Sequence, residues 1–241
     1  MFGKNIKRYW TASICILLLC DIWASGLHAA EVRASVEITR QGLFKTEAGQ
    51  LPPAVAVALL PASDQRVPAS KRQQYRIEIS ANRMRPAFLA VQRGSLLEVV
   101  NRDDVYHQLF SVSPGEQPVS AQLNKAGNNA ENRVSVNLDR TGTTHFFCRI
   151  HKKSYARVDV VDTPYVQMVK PGEPFRFTGL QAGNWQLRLS APAAETRWID
   201  VSAHISPPLL ALELIAYGGG SHAPLAHSRA DIQQLYRDPT R

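Results

Sequence analysis

The sequence predicts an all-β protein built as sandwiches, and three observations carry that expectation. Apolar residues alternate with period two in one short segment after another. Turn signals recur roughly every eight to twelve residues. No long segment has a helical period. The 241 residues leave room for one large or two small domains. Apolar content of 44% and charged content of 20% are those of an ordinary globular chain.

Residues 1–30 read as a secretory signal peptide. Lys4, Lys7 and Arg8 form a positive start, residues 11–20 are apolar, and Ala29 and Ala30 are candidate cleavage positions. The apolar stretch is short for a bilayer span. Leu19 precedes Cys20 where a lipoprotein would carry a small residue. The expected location is therefore periplasmic, reached through a cleaved leader.

The first strand follows at 31–40, where Val32, Ala34, Val36 and Ile38 alternate with polar neighbours. Residues 54–60 are a continuous apolar run closed by Pro61, and a polar, proline-containing stretch occupies 62–74. Tyr75, Ile77 and Ile79 mark a strand at 75–80. A turn at Arg93-Gly94 leads into 96–100. Residues 116–133, rich in Asn, Gln and Ala, read as a long irregular connection. Strands resume at 134–138, 143–148 and 156–161, and Asp162-Thr163-Pro164 breaks the pattern. Further strands are expected at 165–169, 175–177, 185–189, 197–201 and 209–215, with a turn at Pro171-Gly172. Gly218-Gly219-Gly220 closes the ordered part. A polar, flexible tail follows, with a short helix at 230–236.

The formal charge is +8, or about +6 once Lys4, Lys7, Arg8 and Asp21 leave with the leader. The basic residues are scattered, and none builds a nucleic-acid motif. They read first as a solvated, mildly basic surface, one that would still favour an acidic protein partner at long range. Of three cysteines, Cys15 and Cys20 belong to the leader, so Cys148 stands alone in the remainder. In an oxidising compartment a lone cysteine has no internal disulfide partner. It is a buried hydrophobe, a link to another molecule or a metal ligand.

Two histidines bear on that choice. His107 lies 41 residues before Cys148, and His151 lies three after it. Two imidazoles and a thiolate suit copper in both oxidation states, because thiolate softness holds Cu(I) and imidazole holds Cu(II). A three-residue step past a strand end turns Cys148 and His151 toward one point, and a neighbouring strand end must supply His107. Taken singly, a strand-ending cysteine is most often a buried hydrophobe and a histidine after a turn is usually a surface or capping residue. Order and spacing together favour the metal set. His145 shares a strand face with Phe147 and not with Cys148, so it reads as structural or solvent-facing. His222 and His227 fall in the tail. No acid–base pair or nucleophile triad is visible, and the histidines are too scattered for a second copper centre. The chain is not expected to be an enzyme, and no catalytic residue is assigned.

Two segments, Asn101-Arg102-Asp103-Asp104 through His107 to Phe110-Ser111, and Cys148-Arg149-Ile150-His151 through Asp162-Thr163-Pro164-Tyr165, give the pattern a family likeness. It resembles the plastocyanin-like cupredoxins, in particular the exported cupredoxin-domain proteins labelled methylamine utilization proteins. The resemblance implies a Greek-key cupredoxin sandwich over 67–163 and one type 1-like copper ion on His107, Cys148 and His151. It also implies that Asn101 braces the cysteine loop. Where the family carries an axial methionine, this chain has Ser154. Met84 and Met168 are not placed by sequence for that role, so a backbone carbonyl such as that of Tyr106 would fill it.

The segment 175–189, with its Gly-Leu-x-x-Gly turn at 179–183, resembles the carboxypeptidase-regulatory or transthyretin-like module. With the strands of 31–66 it would make a smaller immunoglobulin- or transthyretin-like β-sandwich over 164–216, the cupredoxin being inserted between its second and third strands. Residues 217–241 form the tail. The function implied is a periplasmic copper-binding electron carrier that meets a redox partner protein at the edge holding Lys152 and Lys153. The alternatives are a copper chaperone and a copper-free scaffold acting as an envelope interaction protein.

Overall fold

The computed structural model describes residues 29–41, 51–62, 67–68, 71–113, 118–127 and 130–217. Residues 1–28 and 218–241, where a leader and a tail are expected, lie outside the described residues, with Cys15, Cys20, His222 and His227.

The protein is all-β. Its described strands are β1 (Ala30–Gln41), β2 (Val55–Pro61), β3 (Gln74–Ser80), β4 (Arg83–Arg85), β5 (Phe88–Gln92), β6 (Ser95–Asn101), β7 (His107–Val112) and β8 (Ser120–Leu123). They continue as β9 (Arg133–Leu138), β10 (Gly142–Cys148), β11 (Tyr155–Val161), β12 (Val166–Val169), β13 (Pro174–Leu180), β14 (Gly183–Ser190), β15 (Arg197–Ala203) and β16 (Leu209–Tyr217). Among the described residues no helix is long and apolar enough to cross a membrane.

Strands β3 to β11 form two sheets, ordered β4-β3-β6-β9 and β5-β11-β10-β7-β8. Neighbours in these sheets are mostly not consecutive in the chain, so connections cross from one sheet to the other in Greek-key fashion. Ile77, Ile79, Leu97 and Val99 of one sheet pack on Leu109, Phe146, Ala156 and Val158 of the other. The flanking strands build a second pair of sheets, β13-β1-β16 and β12-β2-β14-β15. Their core gathers Val32, Val36, Val57, Leu59, Phe175, Trp185, Leu187 and Leu214. The run 55–59 is apolar at every position because β2 is buried on both faces. Val55, Val57 and Leu59 enter this second core, while Ala56 meets Phe88, Ala90, Val166 and Met168 in a junction between the sandwiches.

Among the boundaries that depart from expectation, three bear on the argument. Ala30, assigned above to the leader, opens β1, pairs with Leu180 and is buried. Strand β16 extends to Tyr217 because β1 templates it in parallel over its full length. The connection at 116–133 is not wholly irregular, since it holds β8 and a short 3-10 turn, Ala130–Asn132. Strand β8 escapes sequence reading because it is an edge strand. Its ladder to β7 is backbone chemistry, and among its side chains Leu123 is fully buried while Ser120 and Gln122 face water.

Candidate metal centre

The register between β7 and β10 sets up the site. Cys148, the last residue of β10, lies opposite Leu109, two residues beyond the start of β7 at His107. In a strand, residues two apart share a face. The 0% exposed side chains of His107 and Leu109 therefore both point inward. The chain then turns between β10 and β11. Ser154 N–H donates to the His151 carbonyl at 3.0 Å, and Cys148 N–H donates to the Ser154 carbonyl at 3.1 Å. This tight loop carries His151 back over the end of the sandwich.

His107, Cys148 and His151 are brought together, each offering one donor atom within 4.8 Å of the others. The two Nδ1 atoms are 3.0 Å apart, and Cys148 Sγ lies 3.6 Å from His151 Nδ1. First-row ions bind imidazole nitrogen at ~2.0 Å and thiolate at ~2.3 Å, which spaces paired donors ~3–4 Å apart. The three groups fit such an ion in both spacing and chemistry. His151 N–H also donates to Cys148 Sγ at 3.4 Å.

Burial is the largest influence on His107 and holds its pKa below the ordinary histidine value, against the pull of the hydrogen bond its ring donates to the Asp103 carboxylate; nearby His151 adds to the lowering. A neutral imidazole is the form that takes a metal. Burial also works to raise the Asp103 carboxyl, but hydrogen bonds from Asn82 N–H, His107 and Ala81 N–H outweigh it and keep that group below the usual carboxylate range.

Asp103 is the residue that sequence reasoning passed over. Its Oδ2 lies 2.9 Å from His107 Nε2, the nitrogen facing away from the cluster. A carboxylate there holds the ring so that Nδ1 is left for a metal. The signal was present as an aspartate four residues before the histidine, yet that spacing means little until the loop geometry is known. Asn101 does not brace the cysteine loop as expected. Its Nδ2 donates to the carbonyls of Val105 at 2.7 Å and Asn124 at 2.8 Å, and its Oδ1 accepts from Asp103 N–H. It therefore shapes the loop before His107.

Ser154 Oγ donates to the Asn82 carbonyl at 2.7 Å. Met84 is buried in the core of the sandwich, and the Met168 sulfur accepts Ala90 N–H at 3.2 Å in the junction. His145 is buried, and its Nδ1 pairs with Tyr155 Oη at 2.8 Å beside Phe147, which makes it structural. Around the site Val105, Tyr106 and Ile150 are about half exposed, and Lys152 and Lys153 are exposed.

Fold and site thus define an all-β protein of two sandwiches, one of which carries a His–Cys–His cluster at one end. No family model and no curated protein matches the chain. Solved structures it is similar to include cupredoxins. An amicyanin variant in its Cu(I) form shares 19% identity, covering 44% of this chain and 98% of its own, with a TM-score of 0.32. A purple cupredoxin from Nitrosopumilus maritimus shares 19%, covering 38% and 100%, with a TM-score of 0.29. A mutant plastocyanin of fern shares 17%, covering 36% and 99%, with a TM-score of 0.31. Likeness of this degree leaves the reading of the site to the chain's own geometry.

Proposed function

We propose that this chain is an exported, periplasmic cupredoxin-like protein that binds one copper ion in a type 1-like site and carries electrons. The observation that supports this reading is the convergence of two Nδ1 atoms 3.0 Å apart with the Cys148 sulfur, 3.6 Å from that of His151. Bound copper would supply a one-electron couple. His107 and His151 would hold it through Nδ1 and Cys148 through its thiolate, at donor positions set by β7, β10 and the turn between β10 and β11. Ser154 Oγ is engaged with the Asn82 carbonyl and would not be a further donor, and two imidazoles with one thiolate are a donor set that would suit copper. An acidic redox partner would dock where Tyr106 and Ile150 are exposed beside Lys152 and Lys153.

The test is copper titration of the mature protein with metal analysis and visible absorption. One equivalent of copper and an intense thiolate-to-copper band, both lost in Cys148→Ala, is the expected result. A colourless protein with no Cys148-dependent copper would overturn it and leave a copper-free interaction scaffold. Stable copper binding without a reversible potential would instead indicate a chaperone.

A further inference from the structure

His107 and the loop carrying Cys148 and His151 are separated by more than forty residues, and the hydrogen bonds of a third element join them. Between β3 and β4 the chain reverses through Ala81 and Asn82, both in the left-handed region at φ 51° and 57°. Two successive residues of this kind make the tight hairpin turn that suits strand twist. They also leave adjacent N–H groups free of the ladder. Ala81 N–H donates to Asp103 Oδ1 at 2.6 Å and Asn82 N–H to Asp103 Oδ2 at 2.9 Å. That same Oδ2 holds His107 Nε2 at 2.9 Å.

The carbonyl of Asn82 serves the other loop. It accepts Ser154 Oγ–H at 2.7 Å, and the buried Ser154 is in turn bonded through its backbone to His151 and Cys148. An unbroken hydrogen-bonded path therefore runs from His107 through Asp103, Asn82 and Ser154 to the other two donors.

We infer that the Ala81–Asn82 turn is a brace that couples the two ligand-bearing loops, with Asp103 and Ser154 as positioning residues at its two ends. Ser154 then stands where it does to clamp the loop of Cys148 and His151, not to touch a metal. The brace holds the three donors at their separations in the metal-free protein, so that a metal enters a preformed site. Asp103 adds a fixed negative charge beside His107, which favours the more highly charged oxidation state of whatever redox ion is bound. The electrochemical part of this inference rests on the copper reading above; the coupling does not.

The first measurement is long-range proton–nitrogen NMR of the histidine rings in the metal-free mature protein. Ser154→Ala does not touch His107, yet it should shift the His107 ring nitrogens and admit the second tautomer. Asp103→Asn should do the same directly, and by reciprocity should speed amide exchange at Cys148 and Ser154. Unchanged His107 signals in Ser154→Ala, with unchanged Cys148 and Ser154 exchange in Asp103→Asn, would overturn the brace whether or not copper binds. In the copper-loaded protein, Asp103→Asn should cost about a tenfold loss in preference for Cu(II) over Cu(I), a rise of ~59 mV for one electron. Adding Ser154→Ala to it should change the potential by less than Ser154→Ala does alone; strictly additive shifts would count against coupling.

Discussion

Asp159 shows how much one buried charge can organise. It is fully buried, and its carboxylate takes Arg157 Nε at 2.8 Å, Arg188 at 3.2 Å, Ser190 Oγ at 2.9 Å and Thr143 Oγ1 at 2.9 Å. Burial works to raise its pKa, but the two arginines and Ser190 prevail and hold it below the ordinary value. A carboxyl with a depressed folded pKa contributes stability that is present above its unfolded value, ~3.9, and is lost as pH falls through the folded value. Asp159→Asn should cost about 3 kcal/mol near neutral pH. The gap to wild type should narrow as pH falls below roughly 4, where the unfolded-state carboxyl takes up its proton, and close as pH passes the depressed folded value; thermal melts from pH 2 to 7 read this directly. Tyr155 is the opposite case. Burial raises its phenol to about 12. Absorbance titration of Tyr155→Phe against wild type should lose a late-titrating tyrosine near that pH and leave the earlier ones in place. Among the site residues, Cys148 and His151 were legible because three residues of local chain place both. Asp103 was half legible, and the bond from Ser154 to Asn82 was not, since 72 residues separate them.

At the scale of elements, strands with one wet face were the easiest to read. The alternation of β1, β3 and β14 is written in their residues, because one face meets a core and the other meets solvent. Strand β2 is a different kind of element, with two buried faces. Ala56→Leu should therefore overpack the junction against Phe88 and Met168 and cost about 1–3 kcal/mol, measured by denaturant unfolding. A cost near zero would mean the junction is loose. Trp185 in β14 is 1% exposed and donates its indole N–H to the Gln181 carbonyl at 3.0 Å. Trp185→Ala should cost about 3–5 kcal/mol. Strand β7 resisted reading because two of its three inward residues, His107 and Ser111, are polar and hide the alternation.

The whole molecule is held together across its two sandwiches by more than the chain crossing between them. Strand β12 pairs with β2 in one sheet and packs beside β5 of the other sandwich, through Val166 and Met168 on Phe88 and Ala90. Arg157 and Asp159, from β11 of the first sandwich, meet Arg188 and Ser190, from β14 of the second. An apolar junction with a satisfied ionic network at its side should make the pair unfold as one cooperative unit. Calorimetry should show one transition whose calorimetric and van't Hoff enthalpies agree. Two resolved transitions would show that each sandwich stands alone.

The sequence by itself determined that the chain is all-β, where most strands begin and end, and which histidines and cysteine form the candidate donor set. Those properties follow from period-two alternation, turn residues and short spacings, all of which are local. The tertiary structure alone decided the register of Cys148 against Leu109, the meeting of Asp103 with His107, the use of Ser154 as a clamp, and the burial of Asp159 between two arginines. Each depends on strands that pair or pack across distant stretches of chain, and hydrogen bonds made across such distances leave no periodic trace in the residues that make them.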